Sequence, residues 1–183
     1  MRECQPLLPG KFPKPTAKCH HAQARVVFQP KTLLGQHVLV TAGPTFEAID
    51  PVRGITNLSS GKMGFAIARA AHEAGARVTL VAGPVHLPTP RGVARINVTS
   101  AHARFDVAVI EAAQASVFVA TAAVADSRPT QAADHKIKKD GSGMVPHLEF
   151  VENPDILATI AQSPRTKPIC TPNADASSRW WGN

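Results

Sequence analysis

Residues 50–64 read Asp50-Pro-Val-Arg-Gly-Ile-Thr-Asn-Leu-Ser-Ser-Gly-Lys-Met-Gly64 and form a polar segment between two apolar ones. The preceding run, Val38 to Ala42, predicts a buried parallel strand, and Met63 to Ala74 follows helical spacing. Loops at strand-to-helix transitions commonly bind anions, because the first N–H groups of a helix are unpaired and carry the positive end of its dipole. The segment therefore predicts an anion site, with a solvated polar loop as the alternative.

Strand-like and helix-like segments alternate along the chain. The expected strands are 37–42, 76–82, 93–98, 116–122 and 147–151, with another beginning at 167–170; the expected helices are 61–74, 101–114 capped by Ser100, and a short helix with Asn153 as cap and Pro154 at its first position. The apolar residues of the first helix follow helical spacing, and so do those on one face of the second: Met63, Ile67, Ala70, Ala71 and Ala74, then Phe105, Val109 and Ala112.

This alternation predicts an α/β fold with a doubly wound, mainly parallel sheet and helices on both faces. Ligands in such folds bind beyond the carboxyl ends of the strands. That edge would bring residues 41–45, 83–84 and 122–126 into one crevice.

The net charge of +7 lies in the two ends of the chain. Residues 1–36 and 163–183 carry the excess of Lys and Arg, whereas residues 37–162 hold equal numbers of basic and acidic side chains. This distribution argues against a nucleic-acid partner. No apolar run approaches the roughly 18 residues that span a membrane, and the three scattered cysteines suit a reducing compartment, so we expect a cytoplasmic protein without a membrane partner.

Familiar phosphate-binding motifs do not match the loop. Between Gly54 and Gly61-Lys62 there are six residues where a P-loop has four, and Met63 stands in place of its Ser or Thr. Gly61-Lys-Met-Gly64 lacks the third glycine of a dinucleotide fingerprint, which leaves an NAD-type oxidoreductase as a weak alternative. The basic run 136–139 is by itself most typical of a solvated surface.

Six ordered blocks resemble phosphopantothenate–cysteine ligase, the carboxyl-terminal half of the bacterial bifunctional coenzyme A biosynthesis flavoprotein. They are Val40–Thr45, Asp50–Arg53, Asn57–Gly64, Ala122–Asp126, Lys136–Lys139 and Asn153–Ile156. The resemblance implies a Rossmann-like ligase that uses CTP and Mg²⁺ to join phosphopantothenate and cysteine through an acyl-cytidylate. It further implies a homodimer, and no FMN is expected because the decarboxylase half is absent from this sequence.

The resemblance also implies roles for matching residues. Asn57 matches an asparagine that turns over the acyl-cytidylate, Arg53 a nearby motif arginine, and Lys136 a lysine that forms the intermediate. The positions implied to contact CTP are Ala120, Thr121, Ala122, Asp126, Lys136, Pro154, Asp155, Ile156 and Leu157. Those implied to contact phosphopantothenate are Gly43, Ser59, Ser60, Gly61, Lys62, Met63 and Gly64. No residue is assigned to a metal.

The two ends of the chain do not resemble the family. After residue 170 the family continues with a Gly-Phe-Ala-Ala-Glu-Thr segment and a helix with two nucleotide-contacting lysines, which residues 171–183 do not match. We therefore expect a basic, Pro-rich, disordered leader at 1–36, a C-terminally truncated ligase-like domain at 37–170 and an unrelated tail at 171–183. The alternative to an active ligase is an impaired or inactive remnant that at most binds nucleotide.

Overall fold

The computed structural model describes residues 30–138, 147–163 and 170–171. Residues 170 and 171 are described by their backbone alone. Residues 1–29, 139–146, 164–169 and 172–183 lie outside the described residues, so the expectations for them, including Lys139 and the strand expected to begin at 167, stay predictions. The described elements are β1 (His37–Ala42), β2 (Phe46–Asp50), β3 (Arg53–Thr56), α1 (Lys62–Glu73), β4 (Arg77–Ala82), β5 (Ala94–Asn97), α2 (Ala101–Ala112), β6 (Val117–Ala120), β7 (Ser127–Pro129), β8 (Phe150–Glu152), α3 (Ile156–Ala161) and β9 (Cys170–Thr171). None of the described helices is long and apolar enough to cross a lipid bilayer.

A five-stranded parallel sheet in the order β5-β4-β1-β6-β9 forms the centre of the fold. All six residues of β1 are buried, as expected for a parallel strand that is hydrogen-bonded on both edges and covered on both faces. The predicted Rossmann-like arrangement is confirmed. The compact unit begins at Lys31, and the Leu33 side chain already packs against the core.

Helices cover both faces of the sheet, because alternate side chains of β1 enter two separate cores. Val38, Val40 and Ala42 pack with Phe65 and other residues of α1. Leu39 lies on the opposite face, in a core built with α2 and α3. The helices on both faces were thus predicted correctly from the sequence.

The predicted apolar faces of the two long helices were correct only in part: Ala71 and Ala112 are buried, and Ile67 and Phe105 pack against the core. Met63 is 57% exposed, whereas Phe65 and Ala68 of α1 are buried. On α2 the buried positions include Arg104, while Val109 is exposed. Both helices are rich in alanine, so their apolar residues are spread around the helix and the spacing alone does not determine which face meets the sheet.

Three local features also differ from the prediction. Part of the predicted loop folds as an antiparallel hairpin of β2 and β3, and the strand expected at 147–151 lies at β8, paired with β7. Asn153 does not cap α3; Asp155 does, since its carboxylate accepts a hydrogen bond from the Ala158 N–H. Asn153 instead donates from Nδ2 to the Ala125 carbonyl. Because the helix begins at Ile156, Pro154 lies before it and not at its first position. The predicted cap at Ser100 is confirmed, because its hydroxyl accepts from the Ala103 N–H.

Candidate functional site

Two glycine turns meet at the carboxyl end of β1. Gly43 follows β1 with φ 75°, and Gly61 precedes α1 with φ 71°, both in the left-handed region that glycine adopts readily. A Cβ on Gly61 would lie 3.2 Å from Gly43 Cα, so the two backbones are in close contact. No side chain from the described ranges caps the start of α1, and its first turn contains no acidic residue. The unpaired N–H groups that begin a helix are therefore available to an anion here.

Gly64 brings the start of α1 against the ends of two strands. A Cβ at this position would lie 2.5 Å from both the Ala42 Cβ and the Thr121 Oγ1, and only glycine avoids this overlap. Thr121 itself is held by its hydroxyl, which donates to the Thr41 carbonyl at 2.6 Å. The loop implied to bind phosphopantothenate and the segment implied to bind nucleotide thus share one edge of the sheet.

Pairing between the β1 and β6 segments continues beyond the two strands. Pro44 and Ala123 form an isolated parallel bridge. Thr45 is fully buried; its N–H donates to the Ala123 carbonyl, and its hydroxyl accepts from the Ala125 N–H at 3.0 Å. These bonds determine the path of the chain towards Asp126, whose side chain is exposed at this edge.

The segment before α3 is attached to the same loop. The backbone N–H of Asn153 donates to the Asp126 carbonyl at 2.8 Å, and its side-chain Nδ2 donates to the Ala125 carbonyl. Pro154 follows directly, so two segments implied to contact nucleotide lie together. Ile156 is buried and Leu157 partly buried in the core with α2, so their side chains serve packing, and nucleotide contacts would come from their backbone.

The Asp50 carboxylate organises the hairpin turn. Its Oδ1 accepts from the backbone N–H groups of Val52 and Arg53 at 2.9 and 2.8 Å, and its Oδ2 accepts from the Arg53 Nε at 2.9 Å and Nη2 at 2.5 Å. Oδ2 also accepts from the backbone N–H of Ile137, next to Lys136. The Arg53 side chain foremost, with the backbone N–H groups, holds the pKa of Asp50 well below its usual value, although burial opposes this.

The remaining residues implied by the resemblance lie at the surface near these features. Asn57 and Ser60 are exposed in the loop between β3 and α1, and neither side chain makes a hydrogen bond to the rest of the described chain. Ser59 is half-buried, and its N–H donates to the Asn57 carbonyl. Lys62 and Lys136 are exposed as well. The structure therefore joins the glycine turns to the Thr121 segment and Arg53 to the Lys136 loop, but shows no direct contact between Asn57 and Lys136.

A buried arginine behind the glycine turn is absent from the sequence-based prediction. Arg104 on α2 is fully buried and donates to the Gly43 carbonyl at 3.0 Å and the Pro44 carbonyl at 2.7 Å, while its Nε has no partner among the described residues. Burial lowers the pKa of Arg104 to about 10, and the nearby Glu47 carboxylate partly opposes the shift. The guanidinium is therefore charged at neutral pH. Glu47 is also buried and accepts from the Ala101 N–H in the first turn of α2.

A metal site built by the protein alone would need several ligand side chains close together. Within the described ranges, no three His, Cys, Asp or Glu side chains are grouped so that they could hold an ion. Mg²⁺ commonly binds through substrate phosphates and one or two carboxylates, with water completing its shell. The described residues thus do not form a dedicated magnesium cage.

Comparison with known proteins identifies relatives of the whole described unit. Residues 33–177 match the family described as DNA/pantothenate metabolism flavoprotein C-terminal domain. The chain is 50% identical over 166 residues to the coenzyme A biosynthesis bifunctional protein CoaBC of Vibrio cholerae, covering 91% of this chain and 41% of the relative. It is 44% identical over 160 residues to the protein of the same name from Escherichia coli, covering 86% and 39%. The chain thus spans about two fifths of the length of these relatives.

Solved structures show the same fold. The crystal structure of the C-terminal domain of CoaBC aligns with a TM-score of 0.65 and 39% identity, over 76% of this chain and 64% of that one. The flavoprotein structure from Streptococcus pneumoniae aligns with a TM-score of 0.63 over 72% and 67%; at 24% identity it supports the fold alone.

Proposed function

Because the chain belongs to the DNA/pantothenate metabolism flavoprotein C-terminal domain family, we propose that it joins 4′-phosphopantothenate to cysteine at the expense of CTP. In the proposed first step, the phosphopantothenate carboxylate attacks the α-phosphorus of CTP, and pyrophosphate leaves. The cysteine amine then attacks the acyl carbon of the acyl-cytidylate, CMP leaves, and an amide forms. This reaction would place the protein in coenzyme A biosynthesis, as the names of its relatives indicate.

The close approach of Gly64 to Ala42 and Thr121 is the observation that carries this proposal. A ligase must hold the acid and the nucleotide so that a carboxylate oxygen can reach the α-phosphorus, and such positioning contributes much of the rate. The loop at the start of α1 and the segment after β6 meet at one edge, which suits two substrates bound side by side. Both substrates carry phosphate, which matches the unpaired N–H groups and the glycine turns.

We assign the proposed roles by position. The N–H groups of residues 61–64, with Lys62 and the serines 59 and 60, would bind the phosphopantothenate phosphate. Residues 120–122 and the edge near Asp126 would bind the nucleotide. Lys136 would neutralise charge on its phosphates, and Asn57 would donate a hydrogen bond to the acyl group during amide formation. Mg²⁺ would enter with the nucleotide phosphates, where it neutralises charge.

Pyrophosphate release is the direct test. Purified protein with CTP, Mg²⁺, phosphopantothenate and cysteine should release pyrophosphate continuously. In Asn57→Asp, steady-state release should fall roughly a hundredfold or more, as typically follows loss of one such donor. A single burst of pyrophosphate should remain, because formation of the acyl-cytidylate does not need the side-chain amide of Asn57. Asn97→Asp is the matched control; its side-chain oxygen accepts from Arg95 on β5, and a carboxylate preserves that bond.

The outcomes separate the possible functions. Normal turnover in Asn57→Asp would reject the role of Asn57. If titration calorimetry detects CTP binding by the unaltered chain but no pyrophosphate is released, the nucleotide-binding alternative replaces the ligase. Failure to bind CTP rejects both. The homodimer and the cytoplasmic location stay predictions, which sedimentation equilibrium and cell fractionation would test.

A further inference from the structure

The Asp50 carboxylate connects two segments that are far apart in the sequence. Four of its hydrogen bonds come from within the hairpin turn, from Val52 and Arg53. The fifth comes from the backbone N–H of Ile137, at 3.2 Å and 87 residues along the chain. Asp50 is only 2% exposed, so few water molecules are able to replace these donors. One buried carboxylate therefore serves both the hairpin and the loop that follows Lys136.

Arg53 completes the contact from the other side. Its Nη2 donates to the Ile137 carbonyl at 3.0 Å as well as to Asp50, and its Nε donates to Asp50. Both backbone polar groups of Ile137 are thus bound, the N–H by Asp50 and the carbonyl by Arg53. The guanidinium charge faces the Asp50 carboxylate, so Arg53 has little free charge to offer a substrate even though its side chain is 49% exposed.

The hairpin is itself fixed to the edge of the central sheet. The Thr56 hydroxyl donates to the Thr45 carbonyl at 2.7 Å, and the Phe46 N–H donates to the Thr99 carbonyl at 2.9 Å. Because the hairpin does not move freely against the sheet, whatever is bound to the hairpin is also placed relative to the substrate edge.

We propose that Asp50 and Arg53 are positioning residues, which hold the backbone beside Lys136 so that its exposed ammonium group is directed towards the nucleotide phosphates. This rests on the proposed function in one respect, namely that Lys136 acts on the nucleotide. We call the contacts of Asp50 and Arg53 with the Ile137 backbone the clamp. The clamp fixes the residue next to Lys136, and the described residues leave the lysine side chain unbound. Arg53 accordingly acts through the Lys136 loop and does not touch substrate.

Asp50→Asn is the most selective perturbation. The asparagine Oδ1 keeps the two backbone bonds of the turn, but its Nδ2 is a donor and faces the donors of Arg53 and Ile137. Arg53→Gln is the second variant, since it leaves the carboxylate and the turn intact and removes the bond to the Ile137 carbonyl. Asp106→Asn is the matched control, because Asp106 is an exposed carboxylate on α2 with only a long contact to His102.

Amide hydrogen exchange at Ile137 tests the clamp without any reaction. Loss of a bond to a charged acceptor should speed exchange of this amide roughly tenfold or more in Asp50→Asn. Arg53→Gln should give a smaller increase, and the control should give none. The far-ultraviolet circular dichroism should match the unaltered chain in all three. Unchanged exchange in both variants would overturn the proposal.

A double-mutant cycle on CTP binding tests whether the clamp acts through Lys136. In the unaltered chain, Asp50→Asn should weaken CTP binding about tenfold. In a chain that already carries Lys136→Ala, Asp50→Asn should cause no additional loss of CTP affinity. An equal loss in both backgrounds would show that Asp50 does not act through Lys136 and would overturn the positioning role. If the unaltered chain binds no CTP, the proposed function fails, whereas the exchange experiment still decides whether the clamp exists.

Discussion

Arg104→Met tests whether the buried guanidinium holds the glycine turn. The arginine makes two hydrogen bonds, to the Gly43 and Pro44 carbonyls, and bonds from a charged donor contribute roughly 1.5–3 kcal/mol each. The Gly43 carbonyl still accepts from the Ala123 N–H at 3.1 Å, so losing the arginine bond costs less there than at the Pro44 carbonyl. Glu47 would remain buried and lose the nearby positive charge of Arg104, which adds to the loss.

These losses are partly offset. Arg104 itself is desolvated, and in the described part of the chain its Nε has no partner, so methionine removes that cost and refills much of the apolar volume. From the two hydrogen bonds we expect a net loss of about 3 kcal/mol in the free energy of unfolding. Urea unfolding at pH 7 measures it, provided that the slope with urea is unchanged.

Two further variants make the result decisive. Arg69→Met on α1 is the control, because Arg69 is exposed and its contact with Glu73 is 3.9 Å long; such pairs contribute at most about 1 kcal/mol. The double variant Arg104→Met, Glu47→Gln should be more stable than Arg104→Met alone, since no uncompensated charge remains. If Arg104→Met is as mild as the control, the guanidinium does not support the turn and the reasoning is refuted.

Two more predictions concern the helix start and the hairpin. Gly64→Ala should destabilise the fold by about 1–3 kcal/mol in urea unfolding, as overpacking does, because the added methyl would overlap Ala42 and Thr121; an unchanged midpoint would contradict this close packing. The lowered pKa of Asp50 lies below the unfolded value of about 3.9. Its ionised form therefore stabilises the fold above that pH, and the contribution is lost as the pH falls. The stability difference between the unaltered chain and Asp50→Asn should shrink from pH 6 to pH 3, and growth on acidification would oppose it.

The central strands could be predicted because their signal is local. Buried parallel strands consist of continuous apolar, β-branched runs, and β1, β4 and β6 all show this pattern. The glycines at the carboxyl end of β1 and the cap at Ser100 are likewise short-range features. The alternation of these elements was sufficient to identify the sheet and the edge at which we propose the site.

The hairpin and the buried charges could not be predicted because their cause is tertiary. Arg104 is an ordinary helix former, and it is buried only because carbonyl groups from the turn after β1 meet it 60 and 61 residues away in sequence. Asp50 lies in one of the blocks that resemble the family, but its partner Ile137 belongs to a basic run that is most typical of a solvent-exposed surface. No spacing rule connects positions that are so far apart.

Strand β2 connects the buried charges Arg104 and Asp50 to the same edge of the sheet. A register shift between Ala48 and Asp50 breaks the alternation of the strand, and both of its carboxylates, Glu47 and Asp50, are buried. Glu47 bonds the first turn of α2, which carries Arg104 to the glycine turn, and Asp50 bonds the loop that follows Lys136. In the proposed site the glycine turns would provide the N–H groups that bind phosphate, and the hairpin would position the Lys136 loop. It follows that a substitution in β2 should disturb phosphate binding and the Lys136 loop together, which no change confined to the glycine turns would do.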